Sequence, residues 1–172
     1  LIGLAFLPRA YANNPDSGDL QKQRQAYGKA LQMAHEGKWR SLRKERKALV
    51  DYPLYPYLLY ADLIAGMRYS RRAEIRNYLT RYGGTIKATY LQGRWLDYLV
   101  KHRHWQSYVD FYTLNSYASN SANTSRQCHF HLSQYRLGKR TEALQAGLLL
   151  WTEGKSQPKT CDKLFGLLIR GG

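Results

Sequence analysis

Acidic side chains are scarce in this sequence of 172 residues. Only 12 aspartates and glutamates stand against 27 lysines and arginines, which gives a formal net charge of +15 at pH 7. A charge of this sign predicts attraction to an anionic partner or surface, but it indicates nothing about the fold. Cysteine is rare as well, and two cysteines exclude a small disulfide-rich scaffold, in which several bridges replace a hydrophobic core.

Long hydrophobic runs are also missing. The apolar start Leu1–Leu7 has seven residues, whereas a membrane-spanning helix requires about 20. What the sequence does contain is 44 % hydrophobic and 13 % aromatic residues, including 15 tyrosines. This composition is too apolar for a disordered chain, so we expect a core within one domain or a domain with part of another.

Residues 1–12 are expected to be the remainder of a secretion signal. The apolar start is followed by small residues at Ala10 and Ala12, as a signal peptidase requires, and then by the polar run Asn13–Asp16. The alternative is a frayed apolar helix at the N-terminus. Removal of the signal leaves a mature domain over 13–172 with 160 residues (172 − 12) and a charge of +14, because Arg9 is the only charge lost.

Helical spacing of apolar residues dominates the rest of the chain. A second helix, after the Gly37 break, is expected to bury Trp39, Leu42, Leu49 and Val50. The other helices are expected at about 20–35, 54–66, 70–82, 87–102, 104–113, 124–137, 140–153 and 158–169. A loop break is expected over 114–125, where residues 115–125 are rich in Asn and Ser. No alternating strand pattern is convincing, so the sequence predicts an all-α fold of about 8–9 helices without a sheet.

A weak internal repeat marks the turns between helices. Similar segments begin at Gly37, Ser70, Arg103 and Gly138, at intervals of 33, 33 and 35 residues. A period near 34 is typical of helical-hairpin repeats of the tetratricopeptide type, in which each hairpin stacks on its neighbour. The period favours a helical-hairpin superhelix, or α-solenoid, over an irregular helical bundle.

Cys128 and Cys161 are expected to form a disulfide if the chain is exported. The chain-entropy model gives a loop of about 34 residues a stabilisation of roughly 3–4 kcal/mol. The alternative is a metal site that combines Cys128 with His129 and His131. On one helix these side chains point to different faces, and the second ligand pair of a zinc site is missing.

Candidates for catalysis are weak. The histidines match no His-Glu-x-x-His motif and are expected on helix surfaces or half-buried, at His35, His102, His104, His129 and His131. The glutamates are expected to be solvated ion-pair partners rather than general acids with a raised pKa, at Glu36, Glu45, Glu74, Glu142 and Glu153. Nucleophile-elbow, P-loop and dinucleotide motifs are absent.

The most basic segment, Lys38–Lys47, holds six cations and one acid in ten residues. Its interleaved aromatic residue suits nucleic-acid binding. However, Trp39 and Leu42 belong to the apolar face, which favours a solvated outer face for the cations. A third interpretation is attraction to an anionic polymer or membrane surface. The nearby tyrosines are expected to pack in the core rather than to form a ligand shelf, at Tyr52, Tyr55, Tyr57 and Tyr60.

Two longer stretches carry a resemblance to a known family. They are Asp51–Leu58 and Gly154–Phe165, the latter preceded by Gln127, Cys128 and Trp151. Together they closely resemble the N-terminal region of soluble lytic murein transglycosylases of Gram-negative bacteria, from about residue 20 to 169. The resemblance implies the first part of a ring-shaped, all-helical superhelix, the U-domain, with a disulfide between Cys128 and Cys161.

The family implies cleavage of the β-1,4 bond between N-acetylmuramic acid and N-acetylglucosamine in peptidoglycan. One glutamate acts as acid and then base, a 1,6-anhydromuramic product forms, and no metal or organic cofactor is implied. The family's catalytic segments, a Glu-Ser pair, Gly-Leu-Met-Gln and Ala-Tyr-Asn-Ala-Gly, are absent here. No residue of this chain therefore inherits the catalytic role.

These features together predict a helical scaffold fragment, or a truncated reading frame, that is inactive alone and exported to the periplasm. Its expected partners are peptidoglycan, held weakly by the basic surface, and the missing repeats and catalytic domain of the parent enzyme; nucleic acid is not expected. A solenoid without its later repeats is also expected to be marginally stable or to self-associate. The alternative function is a free-standing periplasmic binding or adaptor module of tetratricopeptide type.

Overall fold

A computed structural model describes residues 17–114, 123–153 and 156–171. Nine α-helices and no strand occupy these ranges. The helices are α1 Ser17–His35, α2 Trp39–Glu45, α3 Tyr55–Ala65, α4 Arg72–Tyr82, α5 Ile86–Lys101, α6 Trp105–Tyr112, α7 Thr124–Arg136, α8 Arg140–Trp151 and α9 Asp162–Gly171. Short 3-10 turns follow α2 and precede α4 and α9. The all-α fold class is confirmed, and every predicted helix has a counterpart.

Two predicted segments fall largely outside the described residues. The expected signal, 1–12, lies wholly outside them, and so does most of the expected loop break at 114–125. The last two residues of that break, Thr124 and Ser125, belong to α7, which begins where the predicted helix over 124–137 begins. The helix begins there because the side chain of Asn123 accepts a hydrogen bond from the Arg126 amide, 3.2 Å away, and so caps the first turn.

The chain divides into two compact units, one ending at Asp62 and the other beginning at Leu63. The first unit is centred on four buried side chains from α1, α2, the 3-10 turn Arg46–Leu49 and α3. These are Ala30, Leu42, Leu49 and Leu58. Val50 was expected on the same apolar face but is 42 % exposed. The reason is that α2 ends at Glu45 and the 3-10 turn follows, so α-helical spacing no longer applies at residue 50.

A buried carboxylate joins the elements of the first unit. Asp62 of α3 has no exposed surface. It accepts a hydrogen bond from Arg43 at 2.8 Å, and Arg46 lies 3.4 Å from its other oxygen. Arg46 also donates to the hydroxyl of Tyr55 at 2.8 Å. Because a buried charge is costly without a partner, the two guanidinium groups are required to hold Asp62 in place.

In the second unit each helix packs against the next one along the chain from α4 to α9, and α7 also packs against α9. The largest fully buried side chain is Trp95 of α5. Its ring meets the edge of Phe111 from α6 at a centroid distance of 5.6 Å and stacks on Tyr98 at 5.1 Å. Packing between sequential neighbours is the arrangement that helical-hairpin repeats require.

Three of the four predicted repeat turns share one geometry. Gly37, Arg103 and Gly138 have φ values of 69°, 57° and 94°. In each turn the amide of the following residue donates to a carbonyl five residues earlier, at 2.8–3.0 Å. This Schellman motif ends one helix, and the next helix begins two residues after the residue with positive φ. Ser70 differs, because it lies within a 3-10 turn, Tyr69–Arg71, after an extended Arg68.

The disulfide lies at the end of the second unit. Cys128 of α7 is bonded to Cys161, the last residue of a 3-10 turn that leads into α9. Both cysteines are buried in a cluster with Leu150 and Leu164. A side chain at Gly147 of α8 would approach Leu164 to 3.2 Å, so glycine allows α8 and α9 to lie close together. The bond therefore connects α7 covalently to the α8–α9 packing.

Removal of the disulfide should destabilise the second unit. The Cys128→Ala, Cys161→Ala double variant is expected to lose about 3 kcal/mol of unfolding free energy, because the unfolded chain gains the entropy of an open loop. Urea unfolding followed by circular dichroism measures the loss. A reductant should lower the stability of the wild type and leave the double variant unchanged. Equal stability of the oxidised wild type and the double variant would contradict the prediction.

Removal of the buried carboxylate should destabilise the first unit. Asp62→Asn is expected to cost about 3 kcal/mol, because Arg46, whose side chain is only 14 % exposed, loses its counter-charge. Glu45→Gln is the matched control, since this exposed carboxylate lies on the neighbouring helix. Chemical denaturation compares the two variants. If both variants lose the same small amount of unfolding free energy, the ion pairs of Asp62 with Arg43 and Arg46 do not stabilise this unit.

Candidate functional site: a cationic cleft

All five glutamates are exposed, as the sequence predicted. Glu36 pairs with Lys38 at 2.6 Å, and hydrogen bonds from Lys38 and Gln32 lower the pKa of its carboxyl. Glu74 accepts two hydrogen bonds from the buried guanidinium of Arg71, at 3.0 and 2.7 Å. A lowered pKa is the opposite of what a general acid needs, so Glu36 is a surface ion-pair partner.

The histidines lie where the sequence predicted. His35 and His102 are exposed, and the other three are half-buried. His104 stacks on Tyr69 with ring centroids 3.9 Å apart. Burial lowers the pKa of His131, and a hydrogen bond to Gln134 opposes this effect. Within the described ranges no three His, Cys, Asp or Glu side chains are grouped as metal ligands, and Cys128 is bonded to Cys161.

The basic segment Lys38–Lys47 is only partly a solvated face. Arg40, Lys44 and Lys47 are exposed, as the favoured interpretation predicted. For Arg43 and Arg46 that interpretation was wrong, because both pair with the buried Asp62. These two cations contribute to the packing of the first unit.

The tyrosines near Pro53 and Pro56 mostly pack, as predicted. Tyr52 contacts Tyr27 with ring centroids 5.3 Å apart, and Tyr60 is half-buried. Tyr57 is the exception, with 51 % of its surface exposed.

A cleft of about 490 Å³ lies in the second unit, between α5, α6, α7 and α9. We call it the cationic cleft. Its lining residues are Val100, Lys101, Arg103, Trp105, His129, Leu132, Arg136 and Lys163. Four of these eight are lysine or arginine, and none is acidic. The composition suits an anionic ligand.

The four cations are exposed, whereas the rest of the lining is half-buried or buried. Lys101, Arg103, Arg136 and Lys163 make no ion pair with a carboxylate in the described part of the chain. Trp105 and Leu132 supply apolar surface beneath them. The cleft therefore combines an apolar floor with a rim of cations that have no carboxylate partner among the described residues.

His129 contributes little positive charge to the cationic cleft at neutral pH. Burial lowers the pKa of its imidazole, the carboxylate of Asp97 opposes this, and the ammonium of Lys163 lowers it further. Its Nδ1 is buried and has no hydrogen-bond partner among the described residues. The attraction for anions consequently comes from the lysines and arginines.

A second cleft, of about 440 Å³, lies beside the first and shares Lys101 with it. Its charges are mixed, because Asp97 lines it together with Arg94. The aromatic ring of Tyr98 is already in contact with Trp95 and His102, at 5.1 and 4.3 Å. Mixed charge and an engaged ring make this cleft a poorer anion site than the cationic cleft.

Inspection of the sequence missed the cationic cleft, because its cations come from three separate helical regions. The total charge and the basic segment Lys38–Lys47 pointed toward an anionic partner, but neither located this cleft. Asp62 was also missed, although a signal existed: it is the one charged residue inside the apolar stretch Leu58–Ile64. A charge in such a stretch indicates a buried, paired group.

Comparison with known proteins gave consistent relatives, although no protein-family model matches the chain. The soluble lytic murein transglycosylase of Escherichia coli K12 is 28 % identical over 170 residues, which cover 99 % of this chain and 25 % of that protein. The same enzyme from Salmonella typhimurium is 27 % identical over 153 residues, or 89 % of this chain and 23 % of that one.

Solved structures agree with the sequence comparison. The crystal structure of the 70-kDa soluble lytic transglycosylase from Escherichia coli has a TM-score of 0.72 and 28 % identity, over 89 % of this chain and 24 % of that one. An inactive mutant of the lytic transglycosylase Slt from Pseudomonas aeruginosa has a TM-score of 0.68 and 32 % identity, over 86 % and 23 %. The chain thus spans about a quarter of the length of these relatives. By sequence and by fold, it is a homologue of part of the soluble lytic murein transglycosylases.

Proposed function

We propose that this chain is the N-terminal part of the helical superhelix of a soluble lytic murein transglycosylase. In this role it acts as a scaffold that helps to hold peptidoglycan strands. The observation that carries the proposal is the similarity to such enzymes along 99 % of the chain, together with a matching fold. The parent reaction is cleavage of the bond between N-acetylmuramic acid and N-acetylglucosamine, with a 1,6-anhydromuramic product.

The chemistry of the described residues supports a scaffold rather than a catalytic role. All five glutamates are exposed, whereas a catalytic acid normally lies in an enclosed, water-poor setting. The net charge of +15 suits weak attraction to an anionic wall polymer. A periplasmic location is part of the proposal, because disulfides such as Cys128–Cys161 persist in oxidising compartments. None of the helices in the described ranges is long and apolar enough to cross a membrane.

The scaffold role predicts binding without cleavage. Purified chain mixed with isolated peptidoglycan should sediment with it at low salt, and should do so less at high salt, because charge attraction is screened. Soluble 1,6-anhydromuropeptides, measured by mass spectrometry, should not exceed those of a no-protein blank. Anhydromuropeptide release by the chain alone would contradict the absence of catalysis. Failure to sediment even at low salt would contradict peptidoglycan binding.

A second part of the proposal concerns the rest of the parent enzyme. Apolar side chains on α8 and α9 are strongly exposed: Leu148 by 55 %, Leu149 by 70 % and Ile169 by 71 %. A helical hairpin buries such a face against its neighbour. We propose that further hairpins of the parent superhelix cover this face. A free-standing adaptor module, the alternative function, would instead present it to a separate protein partner.

The exposed apolar face predicts self-association of the isolated chain. The wild type should form concentration-dependent oligomers in sedimentation velocity, whereas Leu149→Lys with Ile169→Lys should be monomeric at the same concentration. Ile86→Lys is the matched control, because Ile86 is 75 % exposed but lies at the start of α5. A wild type that stays monomeric at every concentration would contradict the prediction, as would equal effects of both changes.

A further inference from the structure

The cationic cleft has features that a simple scaffold does not need. Each of its charged lining residues within the described ranges is positive. The neighbouring cleft is also lined by α5 but has charges of both signs, so α5 does not by itself make a cleft cationic. Lining residues of one sign, with no carboxylate among them, give the cleft a positive potential that attracts an anionic ligand.

The floor of the cationic cleft favours an anion that also has apolar groups. Trp105, Leu132 and Val100 offer apolar and aromatic surface below the cations. A bare inorganic anion cannot use this surface, whereas a short peptide with several carboxylates can use both the floor and the rim. Arginine also matches the planar geometry of a carboxylate with two parallel hydrogen bonds.

The backbone at Arg103 provides a separate observation. Arg103 is the one non-glycine residue with positive φ in the described ranges, and the equivalent turns use Gly37 and Gly138. Glycine adopts this conformation without the steric penalty that arginine incurs. A local strain of this kind is common at functional sites, where the side chain has a role that offsets it. Here the side chain at residue 103 lines the cationic cleft.

We propose that the cationic cleft binds the free carboxylates of peptidoglycan stem peptides. This inference rests on the proposed function, because it names the part of peptidoglycan that the scaffold holds. Arg103, Arg136, Lys101 and Lys163 bind the carboxylates, and Trp105 with Leu132 contacts the apolar part of the peptide. The neutral His129 lies in the wall of the cleft and adds no net charge.

Isothermal titration calorimetry at low salt tests the site with the full chain. The probe is an N-acetylated stem peptide, L-alanyl-γ-D-glutamyl-meso-diaminopimelate, and the control probe is the same peptide with its carboxylates amidated. The acid form should bind, and the amidated form should bind at least about tenfold more weakly, since several charge-assisted contacts are lost. Equal affinity for both forms would overturn the proposal.

Two matched double variants distinguish binding in the cationic cleft from general attraction to the net positive charge of the chain. Arg136→Gln with Lys163→Gln should weaken stem-peptide binding about tenfold, because each exposed cation contributes a factor of about three. Arg40→Gln with Lys44→Gln removes the same two charge types from exposed positions outside the cleft. This control should stay within about twofold of the wild type, because only screened, long-range attraction changes. Equal weakening by both double variants would overturn the proposal.

The Arg103→Gly variant tests whether the side chain of Arg103 serves ligand binding or folding. The variant should keep or increase its unfolding free energy, because glycine tolerates the positive φ, while its affinity for the stem peptide falls about threefold. Reduced stability with unchanged affinity would mean that Arg103 is structural and would count against the proposal. Tighter binding of tripolyphosphate than of the stem peptide, lost in the Arg136–Lys163 double variant, would overturn the carboxylate assignment in favour of phosphate.

The outcomes also distinguish this inference from the function on which it rests. If the chain sediments with intact peptidoglycan but does not bind the stem peptide, only the cationic cleft assignment fails. If it binds the stem peptide but not intact peptidoglycan, the scaffold function fails while the chemistry of the cleft stands.

Discussion

The covalent bond between Cys128 and Cys161 is the constraint on which the cationic cleft depends. His129 follows the first cysteine directly, and Lys163 comes two residues after the second. His129 lines the cleft from α7, and Lys163 lines it from α9. Because both cysteines are buried with Leu150 and Leu164, the bond also fixes how α9 lies against α7 and α8. A shift of α9 would carry Lys163 out of the cleft.

Repeated turns provide the other constraint in each unit. The Schellman motifs at Gly37, Arg103 and Gly138 each join two helices with three residues, so the helices must pack side by side. The periodicity of the sequence predicted these positions, because helical spacing is a local signal, supported by glycine at two of the three turns. Ser70 also lies at a turn between two helices, as predicted, but this turn is a 3-10 entry into α4, which no local signal distinguishes from the Schellman motif used elsewhere.

The fold was therefore predictable to a large extent, whereas the candidate site was not. Helix positions follow from apolar spacing, and the disulfide is the pairing that both the two-cysteine composition and the family resemblance predict. The cationic cleft depends on tertiary structure, since Lys101, Arg136 and Lys163 are more than 25 residues apart along the chain. The pairing of Arg43 and Arg46 with Asp62 also depends on tertiary structure and was not predicted for that reason. These two residues of the basic segment therefore contribute to packing rather than to a solvated surface.

The central claim is that the disulfide holds the cationic cleft in its binding geometry. The most direct test compares the affinity of the N-acetylated stem peptide for the oxidised chain and for the chain with Cys128 and Cys161 reduced, with far-ultraviolet circular dichroism recorded on both. The account predicts that helicity is retained on reduction and that affinity weakens about threefold, because Lys163 leaves the cleft and one exposed cation contributes about that factor. Unchanged affinity after complete reduction would contradict it.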